Sequence, residues 1–579
     1  MKIYLTAINA KYIHSNLAVY SLRAFAEPFR EQIQIGEFTI NNRVDFILEE
    51  IYKAKPDVLC FSCYIWNMGY TEELMEEFHK LCPDVPIWVG GPEVSYEVED
   101  FLKNHPEVTG IMVGEGEETF LELCEYYMQK PEGKTLREIK GLALRNDETG
   151  RVITTGARPM LDMSTIPFCY DMSENEGNFK NRIIYYESSR GCPFSCSYCL
   201  SSVEKKLRFR SIELVKKELQ FFLDRKVPQI KFVDRTFNCN HEHAMAIWRY
   251  IIEHDNGITN FHFEISADLL REEELALIRT MRPGLIQLEI GVQSTNDATI
   301  TEIHRTMQLD RLKETVHQIQ EGGNIHEHLD LIAGLPYEDY ETFAKSFNDI
   351  YAWKPNQLQL GFLKVLKGSY MFEHAKEYGI VYHARPPYEV MRTNWISFED
   401  VMRIKQVEEM LEVYYNSGQF DITMKVLELF FTDAFQMFQE LGAFYERKGY
   451  FHMSHSRIRR CEILLEYMEE KLGAADWENA KELLCEALTF DLYYRENCKS
   501  RPSWAPSPTE WKEKTREYCK RGMLSHLEPF HYRFPGKEVH TLQEVPKRLY
   551  EPVYVLFDYE ERDPLDHQAK VTFLGEEKE

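Results

Sequence analysis

Three cysteines stand close together in the segment SSRGCPFSCSYCLSS: Cys192, Cys196 and Cys199, spaced Cys-x-x-x-Cys-x-x-Cys. Thiolates this close in one loop bind soft metals. Zinc normally takes a fourth protein ligand and usually uses paired Cys-x-x-Cys elements, and no second pair stands near this motif. A 4Fe–4S cluster usually takes four thiolates. With three, one iron keeps an open position that can hold a substrate and pass it an electron. A structural zinc site and three unliganded thiols are the alternatives. The total of 13 cysteines is odd, which favours reduced thiols or metal ligands over a disulfide framework. The other ten are scattered and read as small buried apolar residues.

A strand, RIIYYE, runs directly into this motif. After it, QIKFVDRTFN, FHFEISADLL, LIQLEIGVQS, EHLDLIAGLP and QLQLGFLKVL are strand-like, with helix-like segments such as VKKELQFFLDRK and DRLKETVHQIQEGG between them. Six strands predict a partial (β/α) barrel, fewer than a closed eight-stranded one, with its ligand site at the carboxyl ends of the strands. The first 130 residues also alternate strands and helices, from IYLTAI to GIMVGEGEE, with PEGKT as the closing loop. That pattern predicts a doubly wound parallel sheet. The connector carries a candidate hairpin in GLALRNDETGRVITTG and an acidic stretch, YDMSENEGNF. From about residue 380 long helical segments dominate, and a less regular, β-containing tail starts near 525. The fold class is therefore α/β with a helical end: a doubly wound domain over 1–134, a linker over 135–180, a partial (β/α)6 barrel over 181–375 and a mostly helical domain over 376–579.

The cysteine motif and the segments after it resemble the radical SAM superfamily over about residues 181–370. In that family the unique iron binds the amino and carboxylate groups of S-adenosylmethionine (SAM), and electron transfer cleaves the sulfonium to a 5′-deoxyadenosyl radical. The resemblance places Tyr198 near the adenine. FVDRTFN, with Asp234 and Thr236, resembles the segment that contacts the SAM amino group, although it departs from the commoner Gly-Gly-Glu form. LEIGVQS, with Glu289, Gln293 and Ser294, resembles the segment near the ribose and methionyl moiety. GLP, starting at Gly334, resembles the turn beside adenine. The cations Arg190, Lys205, Lys206, Arg208 and Arg210 flank the motif. They balance cluster charge, hold an anion, or form a solvated face.

The first 130 residues resemble the cobalamin-binding domain joined to a large radical SAM subgroup. Ser62-Cys63-Tyr64 ends a central strand, where such domains often carry Ser-x-Leu, and Gly90-Gly91 follow VPIWV. Small residues there let a nucleotide tail approach the backbone. An ordinary doubly wound sheet without cofactor is the alternative. The Asp-x-His-x-x-Gly motif, whose His ligates cobalt from below, is missing. His14 lies in the corresponding loop, which faces the corrin in such domains, as a candidate cobalt ligand or hydrogen-bond partner; a solvated or locally satisfied His is the other reading.

The C-terminal part is less informative. Cys461, Cys485, Cys498 and Cys519 are too far apart for a local metal knuckle. His452 and His455 stand one helical turn apart if a helix covers them. Phe430, Phe431, Phe435 and Phe438 have the spacing of a core stripe. With 94 acidic against 68 basic residues the formal net charge is -26, which disfavours non-specific nucleic-acid binding. The start shows no signal peptide and no stretch is apolar enough to span a membrane, so the expected location is cytoplasmic.

Together these features predict an uncharacterised branch of the cobalamin-linked radical SAM enzymes, using a 4Fe–4S cluster, SAM, cobalamin and an external flavodoxin- or ferredoxin-like electron donor. The leading expectation is methyl transfer to an unactivated carbon or phosphorus of an unknown substrate. A cobalamin-dependent radical rearrangement or cyclisation is the second. A cobalamin-binding sensor or carrier is the third, and the intact cysteine motif speaks against it.

Overall fold

The computed structural model describes residues 1–11, 14–129, 135–146, 149–171, 182–519, 524–536 and 539–574. The PEGKT loop and the acidic stretch fall largely outside them, as does the middle of the hairpin turn.

The first sheet has strand order β2-β1-β3-β4-β5-β6-β7. Its parallel strands are β1 (Ile3–Asn9), β2 (Ile33–Thr39), β3 (Val58–Ser62), β4 (Ile87–Gly90) and β5 (Gly110–Met112). Successive side chains in a strand point to opposite faces, and here both faces are covered. Tyr4, Ile8, Leu59 and Phe61 pack with Ile47, Leu74, Phe78 and Phe101 from three helices on one side. Ile3, Leu5, Val58 and Trp88 pack with Val19, Phe120 and Leu123 on the other. Every residue of β1 is therefore buried. The connector hairpin, β6 (Leu142–Arg145) and β7 (Val152–Thr154), extends this sheet with antiparallel pairs such as Gly110↔Leu144.

The second sheet is all parallel, and includes β8 (Ile183–Tyr186). Past it, a short antiparallel pair, β9 (Ser189–Arg190) and β10 (Arg208–Phe209), brackets the cysteines. The remaining strands are β11 (Gln229–Phe232), β12 (Asn260–Ile265), β13 (Ile286–Gln293), β14 (His326–Ala333) and β15 (Gln357–Phe362), in the order β15-β14-β13-β12-β11-β8. This is the expected partial barrel of six strands. In β13 burial alternates strictly: Ile286, Leu288, Ile290 and Val292 are fully buried among the surrounding apolar residues, while Gln287, Glu289, Gly291 and Gln293 are only partly buried. Both outer strands are covered by other regions. On β8, Ser15 N–H donates to the Ile183 carbonyl at 3.2 Å and Tyr185 N–H to Ser15 Oγ at 3.0 Å. On β15, Leu358 N–H donates to Asn416 Oδ1 at 3.0 Å and Asn416 Nδ2 to the Leu358 carbonyl at 2.8 Å.

The C-terminal region opens with a small hairpin, β16 (Val381–Tyr382) and β17 (Val390–Arg392). Its main helices are Phe398–Leu411, Asp421–Glu428, Ala434–Lys448 and Arg457–Arg495, the last interrupted at Gly473. The long segment from Met424 to Gly449 is two helices rather than one, because Asp433 caps the second by accepting from Gln436 N–H at 2.9 Å. Phe435 and Phe438 are core residues against Phe347. The tail forms an antiparallel sheet of β18 (Ser525–Phe530), β19 (Val553–Arg562) and β20 (Ala569–Leu574). Among the described residues no helix is long and apolar enough to cross a membrane.

Candidate functional site

The cysteine loop starts where β8 ends, at the carboxyl end of the barrel. Ser188 N–H and Oγ donate to the two Asp234 oxygens at 2.9 and 2.6 Å, and Ser189 Oγ donates at 2.5 Å. Asp234 is 0% exposed. Burial pushes its carboxyl up, and these donors offset only part of that rise. Through these bonds Asp234 braces the strand end that feeds the loop. Gly191 takes φ +90°, and a Cβ there would meet the Lys206 carbonyl oxygen at 2.5 Å. A tight backbone crossing thus precedes Cys192.

The loop itself is stapled from several sides. Cys192 N–H donates to the Glu204 carbonyl at 3.1 Å, Ser197 N–H to the Ile303 carbonyl at 2.9 Å, and Met371 N–H to the Ser197 carbonyl at 2.9 Å. All 13 cysteines are free thiols. Cys192 and Cys196 are buried and Cys199 is half-buried. Cys192 Sγ lies 3.6 Å from Thr236 Oγ1. Arg305 Nη1 lies 3.8 Å from Cys196 Sγ and donates to Tyr198 OH at 3.3 Å, while Nη2 donates to the Gly291 carbonyl. Burial raises the Cys196 thiol and the Arg305 cation opposes that rise. Sequence reasoning missed Arg305, which stands 109 positions from Cys196; no local motif marks it. Tyr198 packs beside the apolar cluster of Ile303, Leu335 and Met371.

The other expected SAM contacts divide. Gln293 ends β13 at φ +75°, beside a register shift, and its buried Oε1 has no hydrogen-bond partner among the described residues. A buried acceptor left open is costly, so this atom fits a donor supplied by a ligand. Glu289 lies lower in the strand. It meets Lys231 Nζ at 2.9 Å and His262 Nε2 at 2.9 Å. Burial pushes its carboxyl up, but these two partners win and hold it at about 2. Ser294 is also occupied: its Oγ donates to Glu338 at 2.6 Å in a fully buried site. Gly334 packs against Val390 of β17. Thr236 and Gln293 thus lie at strand ends near the loop, whereas Glu289 and Ser294 have internal partners.

The donor set fits a cluster better than a single ion. Zinc draws its thiolates into one tetrahedron at about 2.3 Å from the metal. The one described set of three ligand atoms within 4.8 Å of one another is Glu482, Glu486 and His531, not the cysteines. Those carboxylates are already engaged, Glu486 by the N–H groups of His531 and Tyr532 and Glu482 by Arg548. The pairing of His452 with His455 on one helix is not found. The helix begins only at Arg457, and His455 Nε2 contacts the Tyr450 carbonyl at 2.8 Å.

The carboxyl edge of the first sheet faces this loop. Tyr64 stacks on Trp66, with centroids 4.5 Å apart, and Trp66 Nε1 donates to the Ile8 carbonyl at 3.0 Å. Burial raises the Tyr64 hydroxyl, and charges on Glu187 and Arg235 of the barrel reach it. The Ser62 carbonyl accepts from Asn67 Nδ2 at 2.8 Å. Cys63 N–H donates to the Gly90 carbonyl at 2.7 Å. Gly91 takes φ +120°, and a Cβ on it would sit 2.4 Å from the Cys63 carbonyl oxygen. Its small size therefore serves strand-end packing. His14 bridges Ile183 of β8, and its ring lies 5.7 Å from Tyr185. The three flanking arginines are paired rather than solvated. Arg190 and Arg208 pair with Glu115 of the first domain, and Arg210 pairs with Glu218. Lys205 is exposed and donates to Ser195 Oγ.

Comparison with known proteins agrees with this layout. Residues 4–124 match the B12 binding domain, 186–350 the radical SAM superfamily, and 376–543 a domain described as a protein of unknown function, DUF4080. The chain is 26% identical over 374 residues to the cobalamin-dependent radical SAM methyltransferase TokK of Streptomyces tokunonensis, covering 60% of this chain and 52% of that protein. It is 22% identical over 341 residues to the anaerobic magnesium-protoporphyrin IX monomethyl ester cyclase of Rubrivivax gelatinosus, covering 57% and 60%. It spans about half the length of the curated relatives it matches. In fold it is similar to the cobalamin-dependent SAM radical enzyme OxsB, with TM-score 0.58 at 16% identity over 85% of this chain and 78% of that one. It is also similar to the methyltransferase TsrM of Kitasatospora setae, with TM-score 0.54 at 16% identity over 66% and 78%. The chain therefore carries a B12 binding domain followed by a radical SAM domain, the same pairing of cofactor domains that the cobalamin-dependent radical SAM proteins it is similar to are named for.

Proposed function

We propose that this enzyme transfers a methyl group to an unactivated carbon or phosphorus centre. The observation that carries the reading is the meeting of two surfaces. The carboxyl edge of the first sheet, with Ser62, Tyr64 and Gly90, lies against the loop that holds Cys192, Cys196 and Cys199, joined to it through Glu115 and Arg190. When bound, the 4Fe–4S cluster supplies an electron to SAM and cobalamin supplies a transferable methyl group. The three cysteines would hold the cluster. Thr236, Gln293, Tyr198 and Gly334 would line the SAM site, and Arg305 offsets negative charge beside Cys196. Asp234 keeps the loop in register and Glu289 keeps the barrel wall in place. The reaction needs a reductant, and a flavodoxin- or ferredoxin-like protein in the cytoplasm fits. The substrate is left open.

A second reading is cyclisation or rearrangement without methyl transfer, favoured by the relatives named as cyclases. Anaerobic reconstitution with both cofactors, followed by mass spectrometry of SAM products, separates the readings. Methyl transfer by this route releases S-adenosylhomocysteine and 5′-deoxyadenosine together; cyclisation releases only the second. Neither product with any extract would leave a sensor or carrier and sink both.

A further inference from the structure

Arg190 stands two residues before Cys192, and its guanidinium is fully engaged, mostly by another domain. Its Nη1 donates to Glu115 at 2.6 Å, Nη2 to Glu117 at 2.5 Å and Nε to Glu187 at 3.0 Å. Glu115 and Glu117 lie after β5, on the carboxyl edge of the first sheet, whereas Glu187 belongs to the cysteine loop. The ends of the clamp are themselves held. Glu115 also accepts from Arg208 at 2.8 Å and from Leu161 N–H at 3.1 Å, and Glu117 from Ser21 Oγ at 3.4 Å. Glu117 is 6% exposed and Arg190 17%. A planar fork of donors satisfies three carboxylates at once; a lysine ammonium is a point charge and cannot reproduce that geometry.

The connection is short and stiff. Arg190 is paired to Arg208 through β9 and β10, and the next residue is Gly191 with its tight backbone crossing. A shift of the Glu115–Glu117 segment therefore moves the backbone that carries Cys192. Whatever orders one side orders the other, and coupling of this kind is reciprocal for binding free energies. We propose that Arg190 is a positioning residue that couples cobalamin uptake by the first domain to cluster retention in the cysteine loop, each favouring the other. This rests on the reading of cobalamin at that sheet edge.

The test uses the full chain, kept anaerobic. Hydroxocobalamin is titrated by visible spectrum into cluster-loaded and cluster-free protein, and iron loss to a chelator is followed with and without hydroxocobalamin. In the wild type the cluster should tighten hydroxocobalamin binding about tenfold, and hydroxocobalamin should slow iron loss. In Arg190→Lys and Glu117→Gln the affinity ratio should fall to about one, with both forms still folded by circular dichroism. Glu118→Gln, which removes a partner of Arg158 away from the loop, should keep the wild-type ratio. Wild-type affinity independent of the cluster would overturn the coupling alone, as would a full ratio in Arg190→Lys and Glu117→Gln. Wild-type protein that takes up no hydroxocobalamin would overturn the functional reading and the coupling with it.

Discussion

The two parallel sheets use the same alternation of strand and helix for opposite ends. In β1 every side chain is buried, because helices cover both faces. In β13 burial alternates residue by residue, and the less buried side carries Glu289 and Gln293. One sheet devotes both faces to packing and offers chemistry only at its edge. The other keeps a polar wall, where Glu289 lies 2.9 Å from both Lys231 and His262. A continuous apolar strand marks a scaffold, while a strand that alternates inside a parallel sheet marks an interior that must accommodate something polar.

The largest effect expected concerns the loop that joins the two. Changing Cys192, Cys196 or Cys199 to Ala should abolish reductive SAM cleavage, read as loss of 5′-deoxyadenosine. A triple Ala variant that keeps its iron and its cleavage would end the cluster assignment. The packed sheet comes next. Phe61 is 2% exposed between strands and helices, and Phe61→Ala should cost about 3–5 kcal/mol through lost contacts and a cavity, measured by urea unfolding. In the polar wall the corresponding change is electrostatic. Glu289→Gln leaves Lys231 with only the more distant Glu264, at 3.7 Å. With these side chains about a quarter exposed, the loss should be about 1–3 kcal/mol, below that for a fully buried pair.

The same residue gives the comparison a pH signature. The Glu289 carboxyl is held at about 2, against an ordinary 4.5. A depressed carboxylate stabilises the fold above its unfolded pKa, and that contribution is lost as pH falls from about 4.5 towards 2. Unfolding followed against pH should show this acid limb in the wild type and a shallower one in Glu289→Gln; parallel curves would remove Glu289 from the account. The smallest effect is at the barrel edge. Asn416→Ala removes two hydrogen bonds to Leu358 and should cost about 1–2 kcal/mol, with faster hydrogen exchange at the Leu358 amide.

What the sequence revealed depended on the range of the interactions. The cysteine spacing, the six strand-like segments and the connector hairpin are patterns within a few residues, and the structure contains all of them. The bracing role of Asp234 was not legible, because its partners Ser188 and Ser189 are 46 and 45 positions away. The close approach of the Cys63 carbonyl to Gly91 joins two strand ends and has no local signal. The pairing of Arg208 and Arg190 was not legible, because their carboxylate partners, Glu115 and Glu117, lie 93 and 73 positions upstream. Arg305 carried no signal, since its role exists only once two strand ends meet.

The covering of β8 by Ser15 and of β15 by Asn416 has a consequence for how this enzyme can be taken apart. A bare outer strand offers a row of unpaired N–H and C=O groups to any other chain. A fragment spanning residues 182–370 alone would keep its cysteines and its helices yet carry two such strands, one on each flank. It should associate edge to edge, and the barrel is in that sense on loan from its neighbours: a catalytic unit that cannot be moved into another protein without the segments that shield it.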